Sequence, residues 1–261
     1  MAGPSAEDVK VLGLSLSPFV IRVRIALRLK RVEYELVEVR ITEPKSEILV
    51  KSNPVYKKIP VLLHRGKPIC ESAVIVQYID EEWTDGGGSS SILPADPFDR
   101  AIARFWAAYI DIKVKVPVFA IHQIKNKTFD AYFFDLNQLP APVRALRFET
   151  EAAKEVELAE QIRQALGLLE EAFVECGKGK GFFGGDAVGY VDIALGSYLG
   201  WMMALEKAKS VKLLDAEKLP RLAGWAERFL AEESVKGLVP DADEYQKFYA
   251  AAAARTSATP A

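Results

Sequence analysis

The stretch VKVLGLSLSPFVIRVRIALRLK (residues 9–30) changes its hydrophobic period partway along. Val9 to Leu14 is a short apolar run, the form a buried strand takes. From Pro18 to Lys30 the side chains of Phe19, Val20, Val23, Ala26 and Leu27 share one face of a helix otherwise studded with arginines. A strand that passes directly into an amphipathic helix opens an α/β unit, and the rest of the chain is read outward from it.

Tyr34 to Val39 alternates like a strand, Lys45 to Lys51 has the composition of a short helix, and Pro60 to His64 reads as a third strand. A turn at Arg65-Gly66 leads to a fourth strand, Lys67 to Cys70. Ser72 then opens a helix ending near Trp83, with Val74, Ile75, Tyr78 and Ile79 at buried-face spacing. One crossover pair and one tight hairpin predict a mixed four-stranded sheet with helices packed on its faces. Thioredoxin-like folds have this layout.

The run TDGGGSSS (residues 84–91) marks the boundary, because glycine and serine give a coil with nothing to pack. The expected division is an α/β domain over residues 1–84, a linker over 85–98, an all-α helical domain over 99–250 and a disordered tail over 251–261. The helical part begins with Ile102, Phe105, Trp106, Tyr109 and Ile110 on one face and is broken by Pro117. Residues 126–148, with Pro140 and Pro142, read as an irregular connection. A long helix from Glu151 to Glu175 buries Ile162, Ala165, Leu166, Leu169 and Phe173; further helices follow Gly189, lie between Leu219 and Glu232, and run from Asp243 to Ala251.

The 261 residues are half hydrophobic, enough for proper cores without staples. No run approaches the roughly 18 apolar residues that cross a bilayer, and MAGPSAEDVKV lacks the pattern of a secretory signal, so a cytoplasmic protein with no membrane partner is expected. Cys70 and Cys176 are far apart and suggest neither a disulfide framework nor a redox pair. A net charge of −2 and two histidines argue against nucleic-acid binding and against a metal site. The expected partner is a small molecule or another protein.

Ser17-Pro18-Phe19 sits where the first strand hands over to the first helix, with serine at the N-cap and proline at the first helical position. The plain reading is a helix cap. The functional one is that a helix start presents unpaired N–H groups and positive dipole to an anion. If that anion is a bound thiolate, the dipole contributes about 0.3 to 1 kcal/mol and a hydroxyl donating to a charged acceptor about 1.5 to 3 kcal/mol. Together these lower a thiol pKa by roughly one to three units, from an ordinary value near 8.5. Serine then stabilises a ligand's thiolate and is not itself the nucleophile; the histidines, His64 and His122, lie far from it in sequence.

Ile59-Pro60 enters the third strand, and a proline there is read either as an ordinary trans residue or as a cis bond that leaves the N–H and C=O of Ile59 free for a peptide ligand. Glu71-Ser72 opens a second helix. Glu71 suits an ammonium, while Ser72 and the helix N–H groups suit a carboxylate, and a γ-glutamyl amino acid carries both. Lys45 and Lys58 offer cations for the other end of such a peptide, or are solvated surface. Gly189 and Asp192 have the spacing of a structural capping arrangement. Arg22, Arg24, Arg28, Lys30 and Arg31 read as the solvated or subunit-facing side of the first helix.

On SPFVIRVRIAL (residues 17–27), KSEILVKSNPVYKKIPVLLHRGKPICES (45–72), VQYIDEEW (76–83), LPADPFDRAIARFW (93–106) and GKGFFGGDAVGYVDIALG (179–196), the chain resembles the glutathione transferases, most closely the plant tau class. The resemblance implies a thioredoxin-like domain followed by an all-helical one. It implies Ser17 as the catalytic hydroxyl, with Lys45, Lys58, Ile59, Glu71 and Ser72 around glutathione. It implies conjugation of glutathione, a co-substrate and not a cofactor, to hydrophobic electrophiles, with peroxide reduction as a side activity. A cytosolic homodimer serving detoxification and stress response is implied too. The second substrate is expected between the domains, against Phe19, Tyr109, Ile112 and Val116, residues that read equally well as helix core. The chain departs from the class at Ser15-Leu16, where tau sequences usually carry tryptophan and proline. It also has a one-residue insertion before Lys45, and residues 116–147 do not follow the class pattern. That last segment motivates a rival reading, a non-catalytic binder that keeps the fold without the activity, either a ligandin-like carrier or an interaction module.

Overall fold

The computed structural model describes residues 8–41, 44–84, 91–114, 151–209 and 212–248. Four strands, β1 (Val9–Gly13), β2 (Glu35–Glu38), β3 (Val61–His64) and β4 (Lys67–Cys70), form one mixed sheet in the order β2-β1-β3-β4. β1 runs parallel to β2 and antiparallel to β3, and β3 and β4 make the hairpin. Helices α1 (Pro18–Leu29), α2 (Glu47–Ser52) and α3 (Ser72–Glu82) complete the thioredoxin-like unit. The expected element order is therefore the observed one, with ends shifted by a residue or two.

The sheet has two apolar faces. Val9, Val11 and Leu62 join the main core with Val20, Val23 and Leu27 of α1 and with Ile75, Val76 and Ile79 of α3. Leu12, Val39, Leu49 and Val61 form a small second core under α2. Val74 does not bury as expected: it is half exposed because it lies on the helix side away from the stripe Ile75, Val76 and Ile79.

The helical part contains α4 (Pro97–Lys113), α5 (Glu151–Gly177), α6 (Tyr190–Gly196), α7 (Leu199–Lys209) and α8 (Pro220–Ala231), with residues 242–248 also helical. α4 corrects a second expectation. It buries Ile110 as expected, but beside it Ala103 and Ala107, whose small side chains let neighbouring helices approach closely, and it turns Phe98, Phe105 and Ile112 outward. Of the expected stripe only Phe105 is exposed; Ile102, Trp106 and Tyr109 are half-buried. The Gly/Ser run at residues 85–90, Pro117, residues 126–148 and the tail at 251–261 lie outside the described residues.

Buried carboxylates, Asp192 and Asp80 among them, tie the helical part together and to the α/β unit. Asp192, at the third position of α6, accepts from the N–H of Gly189 at 2.9 Å, as its spacing suggested. It also accepts from Phe183 N (2.9 Å), Gly184 N (2.8 Å) and Trp225 Nε1 (2.7 Å), donors that its sequence neighbours do not reveal. Asp80 on α3 pairs with Lys30 at 2.7 Å and accepts from Ser91 Oγ, Ile92 N and Leu93 N. It thereby ties the segment leading to α4 against the α/β unit. Lys30 and Asp80 are both buried, so Lys30 is not on a solvated face.

Burial alone pushes the Asp80 carboxyl up, but the Lys30 ammonium and the three donors outweigh it and hold the group below the usual carboxylate range. A carboxylate whose pKa is depressed on folding contributes stability above its unfolded pKa and loses it as pH falls through the folded value. Asp80→Asn should accordingly lower the unfolding free energy at pH 7 by about 3 kcal/mol, since it leaves Lys30 buried without its counter-charge. In urea titrations the deficit relative to wild type should shrink below about pH 4. A deficit equal at pH 7 and pH 3 would refute the ionic account.

Candidate functional site

The strand register brings the sequence-predicted residues to one end of the sheet. Leu12 of β1 faces Val61 of β3, which faces Cys70 of β4, while Gly13 pairs with Glu38 of β2. The chain thus leaves β1, β2 and β4, and enters β3, along a single edge. Ser17 follows β1, Ile59 and Pro60 precede β3, Glu71 and Ser72 follow β4, and Lys45 lies between β2 and α2. From β1 to β4 is two inter-strand steps, about 10 Å. An extended three-residue ligand spans about the same distance.

Ser17 is 1% exposed and sits at the N-cap of α1 with extended backbone, yet its side chain makes no capping hydrogen bond. Its N–H donates to Leu14 O at 3.0 Å, and its carbonyl accepts from Ile21 N at 2.9 Å. The cap is made by the backbone and by Pro18 in the first turn. The hydroxyl is left out of it.

The Ile59-Pro60 bond is cis. Asn53, buried below the loop ahead of it, donates through Nδ2 to Lys58 O at 3.0 Å and accepts from Tyr56 N at 3.1 Å. Asn53 was not singled out from the sequence, although Asn53-Pro54 is a turn signal. Ile59, Lys45 and Lys58 are half-buried.

Glu71, and not Ser72, is the N-cap of α3; Ser72 is its first helical residue and is buried. Glu71 has φ 71° and ψ 111°, in the left-handed half of backbone space, where a side chain costs about 1 to 3 kcal/mol. Its carboxylate is exposed at the same sheet edge as Ser17.

On the helical side, Phe19 and Tyr109 are half-buried. Phe19 stands edge-on to Tyr198 with ring centroids 6.1 Å apart, and Tyr109 to Trp106 at 5.3 Å. Burial pushes the Tyr109 hydroxyl up. Ile112 is 61% exposed, and Val116 lies outside the described residues.

Arg22 contradicts its expected place on a solvated face. It is buried, its guanidinium donating to both Asp111 oxygens (3.0 and 2.7 Å), to Ser197 Oγ (3.1 Å) and to Ala194 O (3.0 Å). It also lies over the Tyr198 ring at 5.1 Å, while the Tyr198 hydroxyl donates to Asp111. Arg22 thus fastens α1, the helix that carries Ser17, to α4 and α6. Tyr190 adds a lighter contact, donating to Ala73 O at 3.2 Å beside the start of α3. Arg24 reaches Tyr34, Arg28 donates to Lys236 O, and Arg28 and Arg31 are exposed. A cavity of about 620 Å³ opens between the first turns of α4 and the loop from Gly177 to Tyr190; none of the sequence-predicted site residues lines it.

Residues 7–81 match the family Glutathione S-transferase, N-terminal domain, and residues 116–233 match Glutathione S-transferase, C-terminal domain. The chain is 46% identical over 250 residues to the Probable glutathione S-transferase GSTU6 of Oryza sativa subsp. japonica, covering 95% of this chain and 94% of that protein. Against Glutathione S-transferase U15 of Arabidopsis thaliana the identity is 46% over 242 residues, covering 93% and 92%. Among solved structures, the Tau class glutathione S-transferase MiGSTU from mango superposes with a TM-score of 0.80 at 43% identity, covering 95% of this chain and all of that one. A rice GST1 structure in complex with glutathione gives 0.73 at 31% identity, covering 95% and 98%.

Because the Arg22 fork makes four hydrogen bonds in a buried site, Arg22→Lys should cost stability despite keeping the charge. A lysine ammonium cannot reproduce the bidentate pairing with Asp111. The unfolding free energy should fall by about 2 to 4 kcal/mol in urea titration. A loss below about 0.5 kcal/mol would show that the fork does not hold the helices together.

Proposed function

The chain belongs to the tau class of the glutathione S-transferases, and on that premise we propose that Ser17 holds the sulfur of bound glutathione as a thiolate and presents it to a hydrophobic electrophile. The observation that carries this reading is a buried N-cap serine whose hydroxyl its own helix does not use. At that position the hydroxyl donates to the sulfur while the start of α1 supplies the positive end of its dipole.

The rest of the tripeptide then lies along the sheet edge. The backbone of Ile59 pairs with the central residue. Glu71 receives the γ-glutamyl ammonium, and Ser72 with the first N–H groups of α3 receives its carboxylate. Lys45 and Lys58 face the glycine carboxylate. The rice relative was solved in complex with glutathione, which supports glutathione as the ligand here. The electrophile is assigned to the cleft between α1 and α4, with Phe19, Tyr109, Ile112 and Val116 as its wall.

The reaction needs only proximity and an ionised sulfur: the thiolate attacks the electrophilic carbon, a carbon–sulfur bond forms and the leaving group departs with the electron pair. Reduction of hydroperoxides follows from the same thiolate: sulfur attacks a peroxide oxygen, the O–O bond breaks and the alkoxide leaves as the alcohol, and the thiol of a second glutathione displaces water from the resulting sulfenic acid to give the disulfide. We place the enzyme in the cytosol, a compartment that suits two free cysteines, with a role in detoxification and stress response. It acts as a homodimer, which would cover the exposed Val74 of α3 and Phe98 and Phe105 of α4. The division between the two units falls within residues 85–98.

The decisive experiment compares conjugation of an aryl halide by wild type and Ser17→Ala across pH. The variant should lose about 10²- to 10³-fold in kcat/KM, the scale of removing one donor from a stabilised anion. Its apparent thiol pKa should rise by about one to two units, the share of the hydroxyl, since the dipole of α1 remains. An unchanged pH profile would rule out the proposed role, and glutathione binding without turnover in the wild type would favour a carrier. For the far end of the site, Glu71→Gln should raise the KM for glutathione roughly tenfold with little change in kcat, the pattern of a lost ground-state contact. A fall in kcat at constant KM would contradict the assignment.

A further inference from the structure

The peptide unit that joins Leu16 to Ser17 is held at both ends. Its N–H, on Ser17, donates to Leu14 O at 3.0 Å. Its C=O, on Leu16, accepts from the Tyr245 hydroxyl at 2.9 Å, across 229 residues of sequence. A peptide unit is planar, so fixing both groups fixes the plane from which the Ser17 side chain projects. The hydroxyl has no capping bond to orient it, and its direction depends on that plane.

Tyr245 is itself placed by several features of the sequence. Asp241 and Glu244 cap the helical residues 242–248 reciprocally, Asp241 N donating to Glu244 Oε2 and Glu244 N to Asp241 Oδ1, both at 2.8 Å. Lys207 of α7 pairs with Asp243 on the same turn. Gly200 of α7 lies directly beneath the ring: a side-chain carbon there would come within 2.7 Å of Tyr245 Cε2 and 2.6 Å of Pro240 O. Only glycine lets the ring lie this close. Tyr245 is 1% exposed, so its bond to Leu16 competes little with water.

We infer that Tyr245 is a positioning residue for the reaction, aiming the Ser17 hydroxyl by anchoring the Leu16 carbonyl from the C-terminal helical residues. The inference rests on the reading of Ser17 given above. The helical residues 242–248 thereby act on the thiol end of the site without touching substrate.

The test is Tyr245→Phe, which keeps the ring over Gly200 and removes only the hydroxyl. It is measured alone and combined with Ser17→Ala, reading the pH dependence of aryl-halide conjugation and the thiolate absorbance of bound glutathione. Losing one neutral hydrogen bond should lower kcat/KM about threefold to tenfold and raise the apparent thiol pKa by about half a unit to one unit. The KM for glutathione should stay within twofold. In the Ser17→Ala background the same change should do nothing further, because no hydroxyl is left to aim. A wild-type pH profile in Tyr245→Phe, or an effect that simply adds to that of Ser17→Ala, would overturn the inference and leave Tyr245 as packing. If Ser17→Ala alone keeps the wild-type profile, the reading of Ser17 falls first, and the two failures are told apart.

Discussion

The antiparallel pairing of β1 with β3 is the constraint on which the site depends. With Leu12 opposite Val61, and Val61 opposite Cys70, three connections that are far apart in sequence must emerge at one edge. The register has little freedom. A slip of one residue would turn Leu12 and Val61 out of the small core under α2, where they meet Val39 and Leu49, and push Val11 and Leu62 out of the main one. Because both faces of these strands are buried, the alignment of Ser17, Ile59 and Glu71 is enforced by packing well away from them.

Alignment along the sheet does not orient α1, and the helical part does that. Arg22 lies five residues beyond Ser17 and is gripped by Asp111, Ser197 and Ala194; the carbonyl just ahead of Ser17 is gripped by Tyr245. The two contacts bracket the helix start. Burying a guanidinium is costly unless every donor is satisfied, so the arrangement tolerates little relative movement of α1 against α4 and α6. Asp80 adds the third tie, through the segment that leads into α4.

The α/β half was legible because its signals are local. The change of period at Gly13 to Pro18, the hairpin turn at Arg65-Gly66, and serine with proline at a helix start each need only a few neighbouring residues. The helix starts near Asp99, Glu151, Gly189 and Leu219 were legible for the same reason, but not the break at Ser197-Tyr198 that separates α6 from α7. What failed depended on distant partners. Arg22 and Lys30 looked like surface charges because cations usually are, and nothing near them announces Asp111 or Asp80. On α4 the size of Phe105 suggested the buried face, whereas Ala103 and Ala107 are buried because their smallness permits close packing. Tyr245 gives no local hint at all of its bond to Leu16.

Ser17 shows why a helix cap can be turned to other use here. An N-cap side chain that accepts no N–H from its helix forgoes about 1 kcal/mol. Few helices can lose that without fraying, but α1 has Pro18 preset in the first turn, and Val20, Ile21, Val23, Ile25, Ala26 and Leu27 wholly buried along its length. Burial of even two such side chains, at about 1.5 to 3 kcal/mol each, exceeds the missing cap. The helix start is therefore held by tertiary packing and needs no help from the hydroxyl. Freed from that task, the hydroxyl is directed by the peptide plane behind it, and a tyrosine from the far end of the chain becomes part of its aim.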